Sequence, residues 1–269
     1  MLNPGANRCP LWLRFVRIIR LVSHVFYGLM FVTFRFPGWS PVRRNSQNRR
    51  WSRKLLRILS IRLHVDNLPE IFPERCLLII NHVSWLDIVL VNAAHPALFI
   101  AKSEIARWPM VGSLATRAGT LYIDRGSRGA LRRTNQRVSQ ALLEGELVAC
   151  FPEGITSYGE DVGRFHAALF QPAIDAKAMV APAVIRYLDM DGQRCKSAAY
   201  VGEDSLAKSI WMLVSTQRLV AKLEFLSPIT AEKRERRELS AQIQDSISRC
   251  LKNPEYQAST SRPGYSLRP

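Results

Sequence analysis

"CLLIINHVSWLDI" occupies residues Cys76–Ile88 and decides how the chain is read. Its first five residues form an uninterrupted apolar run of the length of a buried strand. Asn81 and His82 break that run, and Trp85–Ala94 reads as a helix. A strand that feeds a helix through a polar loop is the unit of an α/β layer fold, and such folds collect their sites where strands end. His82 leads Asp87 by five residues, and of the five histidines only this one has an acid at that distance. On a continuous helix the two would lie about 140° apart. They meet only if His82 is in the turn before the helix and Asp87 in its first turn. Ser84 is a good N-cap there and puts Asp87 at N3, so a capping box accounts for Asp87 equally well.

Outward from this stretch the alternation continues. "ALFIA" (97–101), "TLYID" (120–124), "LVACF" (147–151), "VAPAVI" (180–185), "KSAAYV" (196–201) and "LVAKLEF" (219–225) read as strands. Helical patterns fall between several of them, including 129–144 and 206–214. The expected fold is α/β, with a mixed, largely parallel sheet flanked by helices and an N-terminal membrane-associated helical segment. Three regions follow: membrane-embedded and interfacial basic helices over 1–60, a catalytic domain over 61–253, and a disordered tail over 254–269.

Charge separates the first region from the second. The chain has 269 residues, with 38 Lys and Arg against 22 Asp and Glu, for a net charge of +16. Residues 1–65 hold 13 of the basic residues and no acid, which leaves +3 on the other 204. A basic arm on a near-neutral body calls for a polyanionic partner, nucleic acid or an anionic membrane. "LWLRFVRIIRLVSHVFYGLMFVTFRF" (Leu11–Phe36) points to the membrane, because its arginines alternate with Leu, Ile and Phe rather than with polar or stacking residues. The uninterrupted core, Leu21–Phe34, is about 21 Å long as a helix, short of the ~30 Å hydrocarbon layer. Extended to Ile18 and Phe36 it has 19 residues, with Arg20 and Arg35 placed to snorkel. No small-residue cleavage site follows, so it does not read as a signal peptide. "RRWSRKLLRILSIRLHV" (Arg49–Val65) reads as an amphipathic helix on the headgroups that runs into a strand. The five scattered cysteines show no C-x-x-C and no zinc spacing, which fits a reducing compartment.

The chemistry follows from residue types. A carboxylate on one imidazole nitrogen leaves the other as a base near neutral pH. No G-x-S-x-G nucleophile elbow is present, so the hydroxyl that attacks belongs to the substrate. Lys102, Arg125 and the Gly154 turn follow three different strands and could converge on a phosphate.

In this order and spacing, "NHVSWLDI" (81–88), "GTLYIDRG" (119–126), "FPEGITS" (151–157) and "VAPAVI" (180–185) resemble the four blocks of the glycerolipid acyltransferase family. The nearest class is 1-acylglycerol-3-phosphate acyltransferase and the related bacterial lysolipid acyltransferases. The resemblance covers roughly residues 75–190. It implies that His82 is the general base on the acceptor hydroxyl and that Asp87 orients it. It also implies substrate binding by Lys102, Arg125, Glu153, Gly154, Thr156 and Ser157. The acyl group would come from a thioester of coenzyme A or acyl carrier protein, with no metal, no cofactor and no covalent acyl-enzyme. The implied partners are anionic membrane lipids and a lysolipid, not nucleic acid, at the cytoplasmic face of the inner membrane. The expected product is phosphatidic acid from 1-acylglycerol-3-phosphate. One departure bears on this. The family's third block commonly reads F-P-E-G-T-R-S, whereas Ile155 and Thr156 replace the Thr and Arg here. Loss of that arginine removes a bidentate phosphate donor and makes lyso-ornithine lipid an alternative acceptor. "FHAALFQPA" (165–173) also resembles that subgroup. The reading of another class is a non-catalytic protein that binds membrane lipid.

Overall fold

The computed structural model describes residues 9–253, apart from 109, 124–127 and 203, together with 265–266; of residues 128, 265 and 266 it describes the backbone alone. The chain opens with two helices, α1 (Leu11–Phe34) and α2 (Pro41–Ile58), and enters the sheet at β1 (Ile61–Asp66). Alternating elements follow: β2 (Cys76–Ile80), α3 (Leu86–Ala94), β3 (Leu98–Lys102), α4 (Val111–Arg117), β4 (Leu121–Ile123), α5 (Arg128–Leu143) and β5 (Leu147–Cys150). Then come α6 (Gln171–Asp175), β6 (Met179–Leu188), α7 (Leu206–Ser215), β7 (Leu219–Phe225), β8 (Ile229–Thr230), α8 (Arg236–Lys252) and the short β9 (Tyr265–Ser266). Among the described residues the sheet runs β4-β3-β5-β2-β6-β7-β1-β9, with β8 on β6. The ladders joining β3 to β4 and β5, β2 to β5 and β6, and β1 to β7 are parallel. β7 and β8 meet β6 antiparallel, and β9 meets β1 antiparallel.

The unbroken apolar run of β2 has a simple cause. The strand is central, and helices cover both of its faces. Cys76, Leu78 and Ile80 face one core with Leu55, Leu86, Leu90 and Leu213, from α2, α3 and α7. Leu77 and Ile79 face the other with Val138, Leu142, Ile243 and Ile247, from α5 and α8. A strand buried on both faces has no polar alternation to show.

Two expectations change. Residues 196–201 form no strand: Lys196–Ala198 is a single 3-10 turn. β2 covers β6 only as far as Ala183, and the returning chain uses the edge beyond it for a single antiparallel bridge, Leu188 to Arg194, before it turns. In the tail, Tyr265 and Ser266 pair with Val65 and His64, where the sequence predicts disorder; the rest of that segment lies outside the described residues.

The apolar N-terminal stretch forms one helix, longer than the 19 residues counted from Ile18 to Phe36. α1 has 24 residues and is long and apolar enough to cross a membrane, yet it is fastened to the body. Arg17, 6% exposed, donates to the carbonyls of Val214 (3.0 Å), Thr216 (2.6 Å) and Gln217 (3.0 Å) and to Ser60 Oγ (2.6 Å). A cation against the last carbonyls of α7 satisfies groups that a helix end leaves open and complements the helix dipole. The opposite side of α1 presents Trp12, Phe15, Ile19, Val22, Phe26 and Met30 to the outside. This spacing of three and four residues makes one apolar stripe. At the far end, Trp51 of α2 stacks on His24 of α1 at 4.9 Å and lies against Gly28, where an added Cβ would stand 2.5 Å from the indole nitrogen.

Arg17→Met keeps the bulk of the side chain but abandons three carbonyls and a hydroxyl. It should destabilise the fold by about 2–4 kcal/mol, measured by thermal or denaturant unfolding in detergent. An unchanged midpoint would mean that the clamp contributes nothing to stability.

Candidate active site

The site begins at the end of β2, with Asn81. Its side chain accepts from Ile185 N–H (2.7 Å) and donates to Ile185 C=O (3.0 Å). These bonds extend the β2–β6 pairing one residue past Ile80↔Ala183 and free the main chain to leave the sheet. The loop that leaves carries His82. It folds back onto Asp87, which stands in the first turn of α3 and is fully buried.

Four donors converge on that carboxylate. Oδ2 accepts from His82 Nδ1 at 2.8 Å, Val83 N–H at 2.7 Å and Ser84 N–H at 2.9 Å. Oδ1 accepts from the Tyr187 hydroxyl at 2.7 Å. The capping-box expectation is therefore half met. Asp87 reaches back to the loop amides, but the Ser84 hydroxyl caps nothing and is buried without a partner among the described residues. The helix itself starts at Leu86, one residue later than a Ser84 cap requires. Burial raises the Tyr187 hydroxyl well above its ordinary pKa, and the neighbouring Asp87 pushes in the same direction. Tyr187 is thus a permanent donor to Asp87.

Because a carboxylate only accepts, the bond at 2.8 Å puts the imidazole proton on Nδ1 and leaves the lone pair on Nε2. The ring is also gripped from its face. His82 stacks on Phe151 at 4.1 Å and 11°, and Phe151 in turn on Phe99 at 5.9 Å. The His82 side chain is 20% exposed and lines a cavity of about 1110 Å³. That cavity extends between α1, α2, α3, α4 and α7, and its walls are mainly apolar. An imidazole with a fixed tautomer and a free Nε2, at an apolar cavity, can take a proton from a hydroxyl bound there.

The remaining expected residues divide by where their polar groups point. Glu153 is turned away from the cavity. Its carboxylate accepts from His82 N–H (2.8 Å) through one oxygen and from Gly163 N–H (2.8 Å) through the other. Burial raises its pKa, and these two amides offset part of that rise. Ser157 braces the same loop: its N–H donates to His82 C=O at 2.9 Å, and its hydroxyl accepts from Gly159 N–H at 3.1 Å. Where this loop crosses the His82 loop the residue is Gly159. Its φ is +71°, and a Cβ there would lie 2.9 Å from a Val83 methyl. Gly154 (φ +71°) and Thr156 line the cavity, but the Thr156 hydroxyl is committed to the carbonyl of Tyr200. Lys102 lines the cavity with no hydrogen-bond partner among the described residues, and it is the only lysine or arginine of the described lining. Arg125 lies outside the described residues.

Sequence reasoning missed Tyr187 and Phe151. Phe151 belongs to the quoted third block, where an aromatic reads as core. Tyr187 sits 100 residues from Asp87 on a strand buried throughout, and no local pattern pairs the two.

Comparison with known proteins places the chain in a family. A family model described as Acyltransferase matches residues 60–186. The 1-acyl-sn-glycerol-3-phosphate acyltransferase of Neisseria meningitidis serogroup B is 35% identical over 244 residues, covering 90% of this chain and 95% of that one. The lyso-ornithine lipid O-acyltransferase of Pseudomonas aeruginosa is also 35% identical, over 248 residues, covering 91% and 94%. In fold, the chain is similar to the crystal structure of the 1-acyl-sn-glycerophosphate (LPA) acyltransferase PlsC from Thermotoga maritima. The TM-score is 0.69 at 21% identity, over 94% of this chain and 98% of that one. The four ordered blocks, the mixed sheet that carries them and relatives matched over nine-tenths of the sequence lead to one assignment: the chain belongs to the glycerolipid acyltransferase family.

Proposed function

We propose that the enzyme transfers an acyl chain from a thioester of coenzyme A or acyl carrier protein to the free hydroxyl of a lysolipid. The acceptor in this reading is 1-acylglycerol-3-phosphate and the product phosphatidic acid. One observation carries it: the His82 imidazole, held by Asp87 at 2.8 Å, opens onto an apolar cavity of about 1110 Å³ with Lys102 in its wall. His82 Nε2 takes the proton of the acceptor hydroxyl as that oxygen bonds to the thioester carbonyl carbon. The tetrahedral intermediate then collapses, the C–S bond breaks, and the thiolate takes the proton back from the imidazolium. Asp87 stabilises the cationic ring in between, and the Phe151 face beneath it adds a cation–π contribution. The thioester is a co-substrate, and no step calls for a cofactor.

The stripe on α1 supports a monotopic seat. Its apolar residues would enter the bilayer interface while Arg17 keeps the helix on the body, and the cavity that α1 helps to line would then open toward the lipid. Arg43, Arg44, Arg49 and Arg50 of α2 would face anionic headgroups on the cytoplasmic side.

A second acceptor, lyso-ornithine lipid, is favoured by one specific observation. Thr156 stands where the family commonly has arginine, and its hydroxyl is used by Tyr200. Lys102 is then the one cation of the described lining to meet a phosphomonoester, which carries nearly two charges. The ornithine head brings its own ammonium and needs fewer cations. The equal identity to the Neisseria and Pseudomonas relatives does not separate the two.

His82→Ala should lower turnover by about 10²–10⁴-fold in a protein that still folds, and Tyr187→Phe by roughly tenfold through a less firmly held Asp87. Near-normal turnover of purified His82→Ala would remove the base mechanism. Thr156→Arg should raise kcat/KM for 1-acylglycerol-3-phosphate and lower it for lyso-ornithine lipid. An unchanged ratio between the acceptors would show that position 156 does not face the head group. Replacing Trp12, Phe15 and Ile19 by serine should weaken partition onto anionic vesicles by roughly 100-fold. Undiminished vesicle binding would place the membrane contact elsewhere.

A further inference from the structure

The wall of the cavity is not apolar throughout. Ser52 of α2 is 1% exposed and lines it, and its hydroxyl is buried without a hydrogen-bond partner among the described residues. Asn92 of α3 is 7% exposed and also lines it. Its Oδ1 accepts from Ala97 N–H at 3.2 Å, and among the described residues its Nδ2 has no hydrogen-bond partner. The helices that carry them, α2 and α3, are joined at the adjacent positions: Arg53 Nε donates to the Ala93 carbonyl at 2.9 Å. Asn48, one turn before Ser52, adds a third polar side chain to the same wall. A buried hydroxyl left unpaired costs about 1–3 kcal/mol, and a cavity built for plain hydrocarbon would gain from alanine and leucine at these places. The polar groups also stand away from the reacting centre. Trp85, Ile88, Val89 and Asn92 form the cavity face of α3, and Asn92 lies about 7.5 Å along the helix axis from Asp87.

We propose that the niche between Ser52 and Asn92 receives an oxygen substituent on a fatty chain, a hydroxyl above all. The enzyme therefore selects hydroxylated over unsubstituted chains. The inference rests on the acyl-transfer reading and adds a preference to it. A chain hydroxyl would accept from Asn92 Nδ2 and exchange a hydrogen bond with Ser52 Oγ, and the unpaired serine hydroxyl would be satisfied. The hydroxylated chain can arrive on the thioester donor or already be part of the lysolipid acceptor, and the chemistry that recognises it is the same.

The test is competition in detergent micelles between chains of one length, unsubstituted or hydroxylated at single positions. One arm varies the acyl-coenzyme A donor against a fixed plain acceptor; the other varies the acceptor's chain against a plain donor. Wild type should favour one hydroxylated regioisomer by roughly 3- to 10-fold in kcat/KM, the equivalent of one net hydrogen bond, and the arm that shows it identifies the source. Ser52→Ala should abolish the preference, keep transfer of the unsubstituted chain and raise Tm, because an unpaired hydroxyl is gone. Asn92→Asp, which keeps the acceptor for Ala97 N–H but removes the donor, should reduce the preference as well. No preference in either arm, or a preference that survives Ser52→Ala, would overturn the proposal. So would an equal fall for both chains in Ser52→Ala, the mark of a merely structural or water-holding serine. Failure to transfer any chain to any lysolipid would instead bring down the acyl-transfer reading.

Discussion

The buried carboxylate of Asp87 is the interaction on which the site depends. A charge with no exposure must have its oxygens filled, and the chain fills them with three kinds of donor from two parts of the fold. The Val83 and Ser84 amides fix the shape of the loop. The His82 ring fixes a tautomer. The Tyr187 hydroxyl ties all of this to β6, the neighbour of β2 in the sheet. A single residue therefore serves as loop cap, ring orienter and inter-strand link. The capping-box and catalytic readings of Asp87 do not compete, since the bonds that shape the turn also hold the ring.

The support beneath this centre is equally economical. Glu153 holds the first residue of the loop from one side, and Asn81 substitutes side-chain bonds for a ladder that has ended. Both are polar groups spent on backbone. Two buried polar residues next to a base invite assignment to the substrate, and here the geometry turns both toward main-chain amides.

Much of the fold was legible because it follows from local pattern. The run at 76–80, the helices after it and the strands at 98–102, 147–150 and 219–225 are marked by apolar length and spacing alone. The His82–Asp87 contact was legible because both partners lie within one loop and one helical turn. What escaped depends on distant partners. Arg17 reads as one more arginine of the basic arm until Val214 and Thr216 are placed against it. Tyr187, two residues past the run at 180–185, carries no local sign of its role until its hydroxyl meets Asp87. The strand expected at 196–201 fails because the returning chain makes only one bridge to β6, Leu188 to Arg194, and then coils into the turn at Lys196–Ala198.

The Arg17 clamp also bears on the order in which the molecule is built. The carbonyls that hold α1 lie 197–200 residues further along the chain, and β1 pairs with β7, completed only at Phe225. At roughly 5–20 residues per second, the first helix leaves the ribosome about 10–40 s before its docking site exists. During that interval the side of α1 that later packs on the body, with Leu21 and Val32, has no protein to cover it. A bilayer can shelter the whole helix meanwhile, so contact with the membrane can precede folding of the rest of the chain.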